Sequence, residues 1–388
     1  MGKRRSYLVS CHLVPSANDQ LHMMGWATKA VILAGGYATR LRPISYVIPK
    51  LLFPVLDKPM IYWTLDLLKK FEVDEVVLCV NYLASLLQEK IGSSYRSIHI
   101  TYSSENEPLG TAGPLRLAAS AVKLDRTFLA MNGDVIAQVP LSVMLSSHEK
   151  ADALATDALH EVENPSRFGV AELLPDGRIR RFIEKPDPGQ TQSRLINAGI
   201  YLIEPEVLDM IPLGKKVSLE RQIFPTLSKR GRLGGFAFDG LWFDIGNFED
   251  YLRANFTLLR NCRDNSSDES LSAGTKIAGR VCLGEDSIIG RDVTLGPPTV
   301  IGRNSAVQRN VRISNSVLFD NVTVGEGSFI SGAILASNVK IGRQVRINQG
   351  CVLSPNVTVH DNVKLGRGVI IHPHKEITAN LKSKMQVL

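Results

Sequence analysis

Apolar and polar residues follow two different periods along the chain, and the change of period divides it into two parts. From Lys29 to about Leu258, short apolar runs at 76–80, 127–131 and 199–203 predict buried strands. Between them, the stretches 60–70 and 112–123 predict helices. Strands that alternate with helices predict an α/β domain with a mostly parallel sheet, in which ligands bind at the carboxyl ends of strands.

The last third of the chain repeats an aliphatic residue every six positions, from Ile277 as far as Ile371. Two steps are shortened to five residues, after Ile313 and after Ile330, and we expect tightened corners there. A hexapeptide repeat with one buried aliphatic residue is typical of a parallel β-helix with three short faces per coil. The ends of a β-helix need caps or partners, so we predict a homo-oligomer formed through this region.

These patterns predict the domain organisation, and they predict neither a membrane span nor a secretory signal. We expect a flexible extension over 1–27, an α/β domain over 28–258, a linker over 259–272, a β-helix over 273–378 and a tail over 379–388. No apolar run approaches about 18 residues, the length that a membrane-spanning helix needs. The cysteines are scattered without a CxxC pair, which argues against structural zinc or a disulfide framework and favours a cytoplasmic protein.

The net charge of +7 is concentrated in the repeat region, where 14 Lys and Arg face 7 Asp and Glu from Leu271 onward. Such a surface can attract nucleic acid or an anionic regulator. Aromatic residues that would stack on single-stranded nucleic acid are not interleaved with these cations. We therefore interpret the excess as a solvated basic surface and predict no nucleic-acid partner.

A glycine-rich run with two nearby cations follows the first predicted strand. Gly35 and Gly36 begin it, and Arg40 and Lys50 lie a short way downstream. Glycines let backbone N–H groups approach a ligand closely, and clustered N–H groups bind anions. The run matches neither the P-loop nor the dinucleotide fingerprint. It therefore predicts a cradle for a diphosphate or triphosphate of another kind.

Two aspartates are candidates for a Mg²⁺ site. Asp134 follows the strand at 127–131, and Asp244 stands between apolar residues, where a carboxylate needs a cationic partner. Mg²⁺ takes one or two carboxylates together with substrate phosphates, so the pair fits that ion. For Asp134 the alternative is an ordinary turn residue after Gly133.

Three polar side chains are candidates for binding a base and a sugar phosphate. The carboxylate of Glu105 only accepts hydrogen bonds and so matches the two adjacent donors of guanine, unless it is simply solvated. Lys185 supplies a compact positive charge for a sugar phosphate, or else pairs with Glu184 on the surface. Asn197 offers a donor and an acceptor to sugar hydroxyls, or else belongs to a turn.

Taken in order, these motifs resemble the sugar-1-phosphate nucleotidylyltransferase family. The similarity covers the chain from Lys29 to the C terminus. It includes the glycine-rich run at 35–50, the segments 105–114 and 168–170, Glu184-Lys185-Pro186, Asn197-Ala198-Gly199 and the segment 242–246. The segments at 105–114 and 372–375 most resemble the mannose-1-phosphate guanylyltransferases. The resemblance implies a Rossmann-like catalytic domain with a mixed, mostly parallel sheet, followed by a left-handed parallel β-helix.

The resemblance implies the reaction of an NTP with a sugar 1-phosphate to give an NDP-sugar and pyrophosphate, here with GTP and mannose 1-phosphate. Carried over by position, the catalytic residues are Arg40, Lys50, Asp134 and Asp244, of which the two aspartates bind Mg²⁺. The nucleotide-binding residues are Leu33, Gly35, Gly36, Thr39, Arg40, Glu105 and Gly110. The sugar-phosphate-binding residues are Gly169, Glu184, Lys185 and Asn197.

The chain departs from the family pattern at two positions, and other functions within the same fold stay open. Ala38 stands where the family usually has glycine, so we expect a negative φ there. Leu51 replaces a frequent proline. One alternative is a UTP- or dTTP-dependent enzyme for glucose 1-phosphate, including a bifunctional one with acetyltransferase activity. For that activity the late histidines His360, His372 and His374 lie in no assignable loop. The other alternative is a non-catalytic regulatory paralogue that binds a nucleotide-sugar.

Overall fold

The computed structural model of the protein describes residues 29–105, 107–262 and 272–388. The predicted extension over 1–27 and residues 263–271 of the predicted linker lie outside the described residues. The chain divides into two compact units. The sheet unit holds the described parts of Val14–Tyr37 and Met60–Asp244, and the repeat unit holds Ala38–Pro59 and the described parts of Ile245–Leu388.

Strands and helices alternate from Lys29 to Asn261, as the apolar runs predict. The strands are β1 (Lys29–Leu33), β2 (Pro54–Val55), β3 (Lys58–Pro59), β4 (Glu75–Val80), β5 (Ser94–Tyr95), β6 (Ile98–Ser104), β7 (Phe128–Asn132), β8 (Val135–Ala137), β9 (Ala155–Glu161), β10 (Gly169–Leu173), β11 (Ile179–Glu184), β12 (Leu195–Ile203), β13 (Leu233–Ala237) and β14 (Trp242–Asp244). The helices are α1 (Met60–Lys70), α2 (Ala84–Ile91), α3 (Gly113–Ala121), α4 (Leu141–Lys150), α5 (Glu206–Asp209), α6 (Phe224–Lys229) and α7 (Phe248–Asn261).

The main sheet of the sheet unit is mixed and has a parallel centre. Its strands run in the order β11-β10-β12-β7-β1-β4-β6-β5, and β9 pairs with both β12 and β13. β1 is parallel to β4 and β7, and β4 is parallel to β6, whereas β12 is antiparallel to β7. The carboxyl ends of β1, β4, β6 and β7 therefore lie at one edge. The predicted fold class of this domain is confirmed.

In the repeat unit, short strands follow one another from residue 276 to the end of the chain. In chain order they are β15 (Lys276–Ile277), β16 (Val281–Leu283), β17 (Ile288–Ile289), β18 (Thr294–Leu295), β19 (Thr299–Ile301), β20 (Ala306–Val307), β21 (Arg312–Ser314), β22 (Ser316–Leu318), β23 (Thr323–Val324), β24 (Phe329–Ser331), β25 (Ile334–Leu335), β26 (Lys340–Ile341), β27 (Arg346–Ile347), β28 (Val352–Leu353), β29 (Thr358–Val359), β30 (Lys364–Leu365), β31 (Ile370–Ile371), β32 (Glu376–Ile377) and β33 (Gln386–Val387).

These strands form the predicted β-helix. In the described part of the chain they stack into three parallel sheets, which begin with β15, β16 and β17 and take up about every third strand thereafter. The repeated aliphatic residues from Leu283 to Ile371 line its interior. Ile277 is the exception, because its side chain is 41% exposed at the first described coil. Both five-residue steps occur at the same corner, from β21 to β22 and from β24 to β25, so the predicted tightened corners are confirmed.

A second buried row accompanies the predicted one and was not expected from the six-residue period. It lies two residues before most of the repeat positions and includes Val293, Val311 and Val345. Because alternate residues of an extended chain share a face, both rows point into the same interior. Each coil therefore buries two side chains per face at several levels, which gives the β-helix a denser core than one aliphatic row predicts.

Two further sequence expectations can be compared with the described residues. Within those residues, no helix has the length and apolar character needed to cross a membrane. Cys79, Cys282 and Cys351 are buried free thiols.

Candidate active site

The glycine-rich run leaves the carboxyl end of β1 at the edge where the parallel strands end. The half-buried Leu33 is the last residue of β1, and the next N–H, of Ala34, donates to the carbonyl oxygen of Cys79 at 2.8 Å. A Cβ atom on Gly35 would lie 2.8 Å from Oε1 of Glu105. Glycine at position 35 therefore lets the Glu105 carboxylate approach the backbone. A Cβ on Gly36 would meet open space.

Ala38 has left-handed backbone dihedral angles, with φ of 45° and ψ of 44°. The expectation of a negative φ is wrong. The loop keeps the conformation that glycine would adopt most easily, and the alanine methyl group is accommodated at a cost of about 1–2 kcal/mol. The loop is closed across this residue, because the Ser45 hydroxyl donates to the Ala38 carbonyl oxygen at 2.9 Å.

The two cations of the run lie in short 3₁₀ helices of the repeat unit. Thr39 and Arg40 are exposed in the first one, Thr39–Leu41, and Lys50 begins another, Lys50–Leu52. The Arg40 guanidinium lies against the backbone of Gly246, since a Cβ there would be 3.0 Å from its Nη2 atom. That contact gives a physical reason for the glycine at the end of the segment 242–246.

Glu105 is buried, so the alternative of a solvated glutamate is wrong. Its residue exposure is 8%, and its Oε2 atom accepts the N–H of Leu109 at 2.8 Å. Burial raises the pKa of Glu105, and the Leu109 hydrogen bond opposes that shift. A carboxylate held by one backbone donor retains further acceptor capacity beside Gly35, which is what the two adjacent donors of a guanine edge require.

Gly110 packs against a neighbouring segment. It has a φ of 80°, and a Cβ atom there would lie 2.3 Å from the carbonyl oxygen of Val217. The N–H of Val217 in turn donates to the Leu109 carbonyl oxygen at 2.9 Å. Close backbone packing therefore explains this glycine in the structure, and its predicted contact with a base stays a prediction.

The two aspartates predicted to bind metal are brought together by strand pairing. β8 and β14 are antiparallel, and Asp244 is paired with Val135, the residue after Asp134. Both aspartates are half-buried. Among the described residues there is no group of three or more His, Cys, Asp or Glu side chains that could hold a metal. Two carboxylates fit Mg²⁺ because this ion usually takes its remaining ligands from water and substrate phosphates.

The predicted sugar-phosphate residues lie on neighbouring strands of the same sheet. Gly169 on β10 is paired with Glu184 on β11, and a Cβ on Gly169 would lie 3.0 Å from Oε2 of Glu184. Lys185 follows with a φ of 52°, and its side chain is exposed. Its Nζ is 3.7 Å from Oε1 of Glu184, so the surface ion pair considered from the sequence is present. Burial raises the pKa of Glu184, and the nearby Glu220 raises it further.

Asn197 lies at a bulge of β12 that contacts the end of β7. The register with β9 shifts between Asn197 and Tyr201, and the Asn197 Oδ1 atom accepts the N–H of Gly199 at 2.7 Å. A Cβ on Gly199 would be 2.6 Å from Nδ2 of Asn132. The Trp242 indole N–H donates to the Ala198 carbonyl oxygen at 2.9 Å. The bulge therefore connects Asn197 to β7, which ends just before Asp134, and to β14, which carries Asp244.

A buried polar cluster beneath these residues was missed from the sequence. Both carboxyl oxygens of Asp157 are buried without a hydrogen-bond partner among the described residues. Burial and the nearby Glu220 raise the pKa of Asp157 far above the ordinary range. Glu220 accepts the hydroxyls of Thr111 and Ser218, each at 2.6 Å. The sequence signal that could have revealed this cluster was Asp157 itself, a single aspartate within the mostly apolar β9.

The comparisons with known proteins agree with this description. A model described as nucleotidyl transferase matches residues 29–261, and one described as the GMPPB C-terminal domain matches residues 277–387. Mannose-1-phosphate guanylyltransferase catalytic subunit beta of Danio rerio is 38% identical over 323 residues, covering 82% of this chain and 89% of that protein. Mannose-1-phosphate guanyltransferase of Schizosaccharomyces pombe is 37% identical over 324 residues, covering 82% and 88%.

Solved structures match the first part of the chain. A structure described as a glucose-1-phosphate thymidylyltransferase from Bacillus anthracis, in complex with sucrose, has a TM-score of 0.55 and 27% identity, covering 61% of this chain and 97% of that one. HddC from Yersinia pseudotuberculosis, complexed with GMP-PN, has a TM-score of 0.51 and 27% identity, covering 59% and 98%. The chain therefore belongs to the nucleotidyltransferase family, and its relatives include mannose-1-phosphate guanylyltransferases.

Proposed function

We propose that the protein transfers GMP from GTP to mannose 1-phosphate, giving GDP-mannose and pyrophosphate. The observation that carries the proposal is the pairing of β8 with β14, which brings Asp134 and Asp244 together at the end of the sheet where ligands bind. The names of the relatives supply the expected substrates, and the buried Glu105 carboxylate beside Gly35 fits guanine.

In the proposed reaction, a phosphate oxygen of mannose 1-phosphate attacks the α-phosphorus of GTP. The bond from the α-phosphorus to the oxygen that bridges to the β-phosphorus breaks, and pyrophosphate leaves with that oxygen. The nucleophile is already an anion, so neither a covalent intermediate nor a strong general base is needed. Catalysis then depends on positioning the two substrates and on stabilising the developing negative charge.

Each predicted residue has a role in this scheme. Arg40 and Lys50 bind and neutralise the triphosphate, while Leu33, Gly35, Gly36, Thr39, Glu105 and Gly110 contact the nucleotide. Lys185 binds the sugar phosphate, and Glu184, Asn197 and the Gly169 backbone contact the sugar. Asp134 and Asp244 would hold Mg²⁺, which would supply positive charge at the reacting phosphates when bound.

Pyrophosphate release, measured with four NTPs and with mannose 1-phosphate and glucose 1-phosphate, tests the proposal. We expect GTP to exceed UTP in kcat/KM by about tenfold or more, and Glu105→Gln to narrow that ratio because an amide presents both a donor and an acceptor. Asn164→Gln, an exposed amide change, is the control. Activity with UTP but not GTP would contradict the role of Glu105.

We also propose a cytoplasmic homo-oligomer that assembles through the β-helix. The first described coil presents two large apolar side chains to solvent, Ile277 at 41% and Ile288 at 69% exposure. Exposed strands at the end of a β-helix invite pairing or capping. Light scattering after size-exclusion chromatography should give a mass above that of one chain, and a strict monomer at all concentrations would contradict the assembly.

A further inference from the structure

The segment that carries Arg40 and Lys50 belongs to the same compact unit as the β-helix. Ala38–Pro59 groups with Ile245–Leu388 in the repeat unit. Two aromatic contacts between this segment and the β-helix flank Lys50, one four residues before it and one three residues after it. Both contacts involve β-helix residues to which the proposed reaction assigns no role.

The contact before Lys50 is a tilted ring contact at the surface. The Tyr46 ring lies 5.8 Å from the His372 ring, at an interplanar angle of 38°, where distances are between ring centroids. On the same tyrosine, the Arg42 guanidinium carbon lies 4.9 Å from the ring centroid. Tyr46 is 41% exposed. His372 follows β31, so the last coils of the β-helix contact the loop between the two phosphate-binding cations.

The contact after Lys50 is buried. The Phe53 ring lies 5.7 Å from the Phe319 ring, and Tyr251 packs edge-on against both of them. Phe53 and Tyr251 are completely buried, and Phe319 is 1% exposed. The N–H of Phe53 donates to the Lys50 carbonyl oxygen at 3.0 Å, which closes the turn that Lys50 begins. The Tyr251 hydroxyl donates to the Pro54 carbonyl oxygen.

We propose that the β-helix positions Lys50 for the triphosphate, with Phe319 and His372 as positioning residues. Lys50 has a flexible side chain, and holding its backbone on both sides reduces the ordering cost of bringing the ammonium group to a phosphate. Small displacements of a phosphate-binding group have large effects on affinity and rate. The inference rests on the proposed function, because it assumes that Lys50 binds the nucleotide.

Steady-state kinetics and equilibrium GTP binding on the full-length protein test the inference. We expect Phe319→Leu and His372→Ala each to weaken GTP binding and raise the KM for GTP by about fivefold or more. The KM for mannose 1-phosphate should stay within about twofold. Matched controls are Phe329→Leu, on another sheet of the β-helix beside Arg346, and His360→Ala, an exposed histidine after β29 on a different sheet from His372. Both controls should bind GTP as the wild type does.

Rescue separates positioning from a merely structural effect. His372→Phe keeps a planar ring beside Tyr46 and should bind GTP more tightly than His372→Ala does. A variant that only lost folded protein would show less active enzyme but an unchanged KM for GTP. His372 is partly exposed, so its variants keep the test usable if Phe319→Leu fails to fold. Unchanged GTP binding in His372→Ala would overturn the inference. A wild type that binds GTP without turnover would contradict the proposed function alone.

Discussion

Residues with left-handed backbone angles recur regularly in the β-helix, whereas they occur at isolated positions in the chain that precedes it. The β-helix repeats them at its corners, mainly with asparagine and aspartate, as at Asn304, Asn321 and Asn356. These residues tolerate the conformation because their short polar side chains bond locally. In the described chain before the β-helix, the left-handed non-glycine residues follow no repeat, and two of them, Ala38 and Lys185, belong to the candidate site. The β-helix therefore uses left-handed residues as a regular corner device, whereas the earlier chain uses them at individual turns, two of which lie in the candidate site.

The largest expected effect is on catalysis and comes from the paired aspartates of the sheet unit. The proposed reaction gives no β-helix residue a comparable role. Asp134→Ala and Asp244→Ala should each lower kcat/KM by about 100-fold or more, because charge at the reacting phosphates would no longer be neutralised. Circular dichroism and thermal melting should show a folded protein. Asp361→Ala, at an exposed β-helix corner, is the control. Turnover unchanged in the presence of Mg²⁺ would contradict the metal-binding roles.

The second effect concerns stability and tests whether the coils are equivalent. Ile330 is completely buried, and Ile330→Ala should reduce the free energy of unfolding by about 2–5 kcal/mol. The same change at Ile277, which is 41% exposed in the single chain, should cost less than about 1 kcal/mol when measured at a dilution that keeps the protein monomeric. Chemical denaturation of both variants measures the difference. Equal costs at the two positions would show that burial in the coil does not determine stability.

The third effect concerns Asp157, the buried carboxyl of the sheet unit. Its raised pKa means that the folded protein favours the protonated carboxyl, so this group destabilises the protein above its unfolded pKa of about 3.9. Asp157→Asn should therefore raise the free energy of unfolding more at pH 7 than at pH 4, because the amide cannot ionise. The gain should shrink towards zero as the pH falls to about 4. A gain that is independent of pH would refute this account.

The smallest effect compares one left-handed residue from each region. Ala38→Gly should relieve a strained methyl group and raise the free energy of unfolding by up to about 1 kcal/mol. Asn304→Gly, at a β-helix corner with a φ of 53°, should change it by only a few tenths. Thermal melting of both variants provides the comparison. If Ala38→Gly lost more stability than Asn304→Gly, the Ala38 methyl group would not be strained in the left-handed conformation, and this account would be contradicted.

The same contrast explains what could be predicted from the sequence. The β-helix interior follows from a local period, so its repeat positions and tightened corners were predictable from residues such as Ile313 and Leu318. The positions of Glu105 and Asp157 depend on contacts with distant segments. Gly35 accommodates Glu105, and Tyr201 on β12 is paired with Asp157 on β9. A single sequence contains no periodic signal for such contacts.

The Ala38 backbone shows a different limit. Sterics alone favour a negative φ for alanine, but the structure has the left-handed conformation that the surrounding loop requires. The local preference of one residue is worth about 1–2 kcal/mol, and the hydrogen bond from Ser45 together with the rest of the loop outweighs it. The steric preference of a single residue therefore fails where the surrounding loop fixes its backbone.

The stoichiometry of the products tests the central claim most directly. Purified protein incubated with GTP, mannose 1-phosphate and Mg²⁺ should form GDP-mannose and pyrophosphate in equal amounts, with no free phosphate, as quantified by chromatography and mass spectrometry. Asp244→Ala, handled in parallel, should form neither product above background. GTP or GDP-mannose binding without product formation by the wild type, or release of phosphate in place of pyrophosphate, would contradict the account.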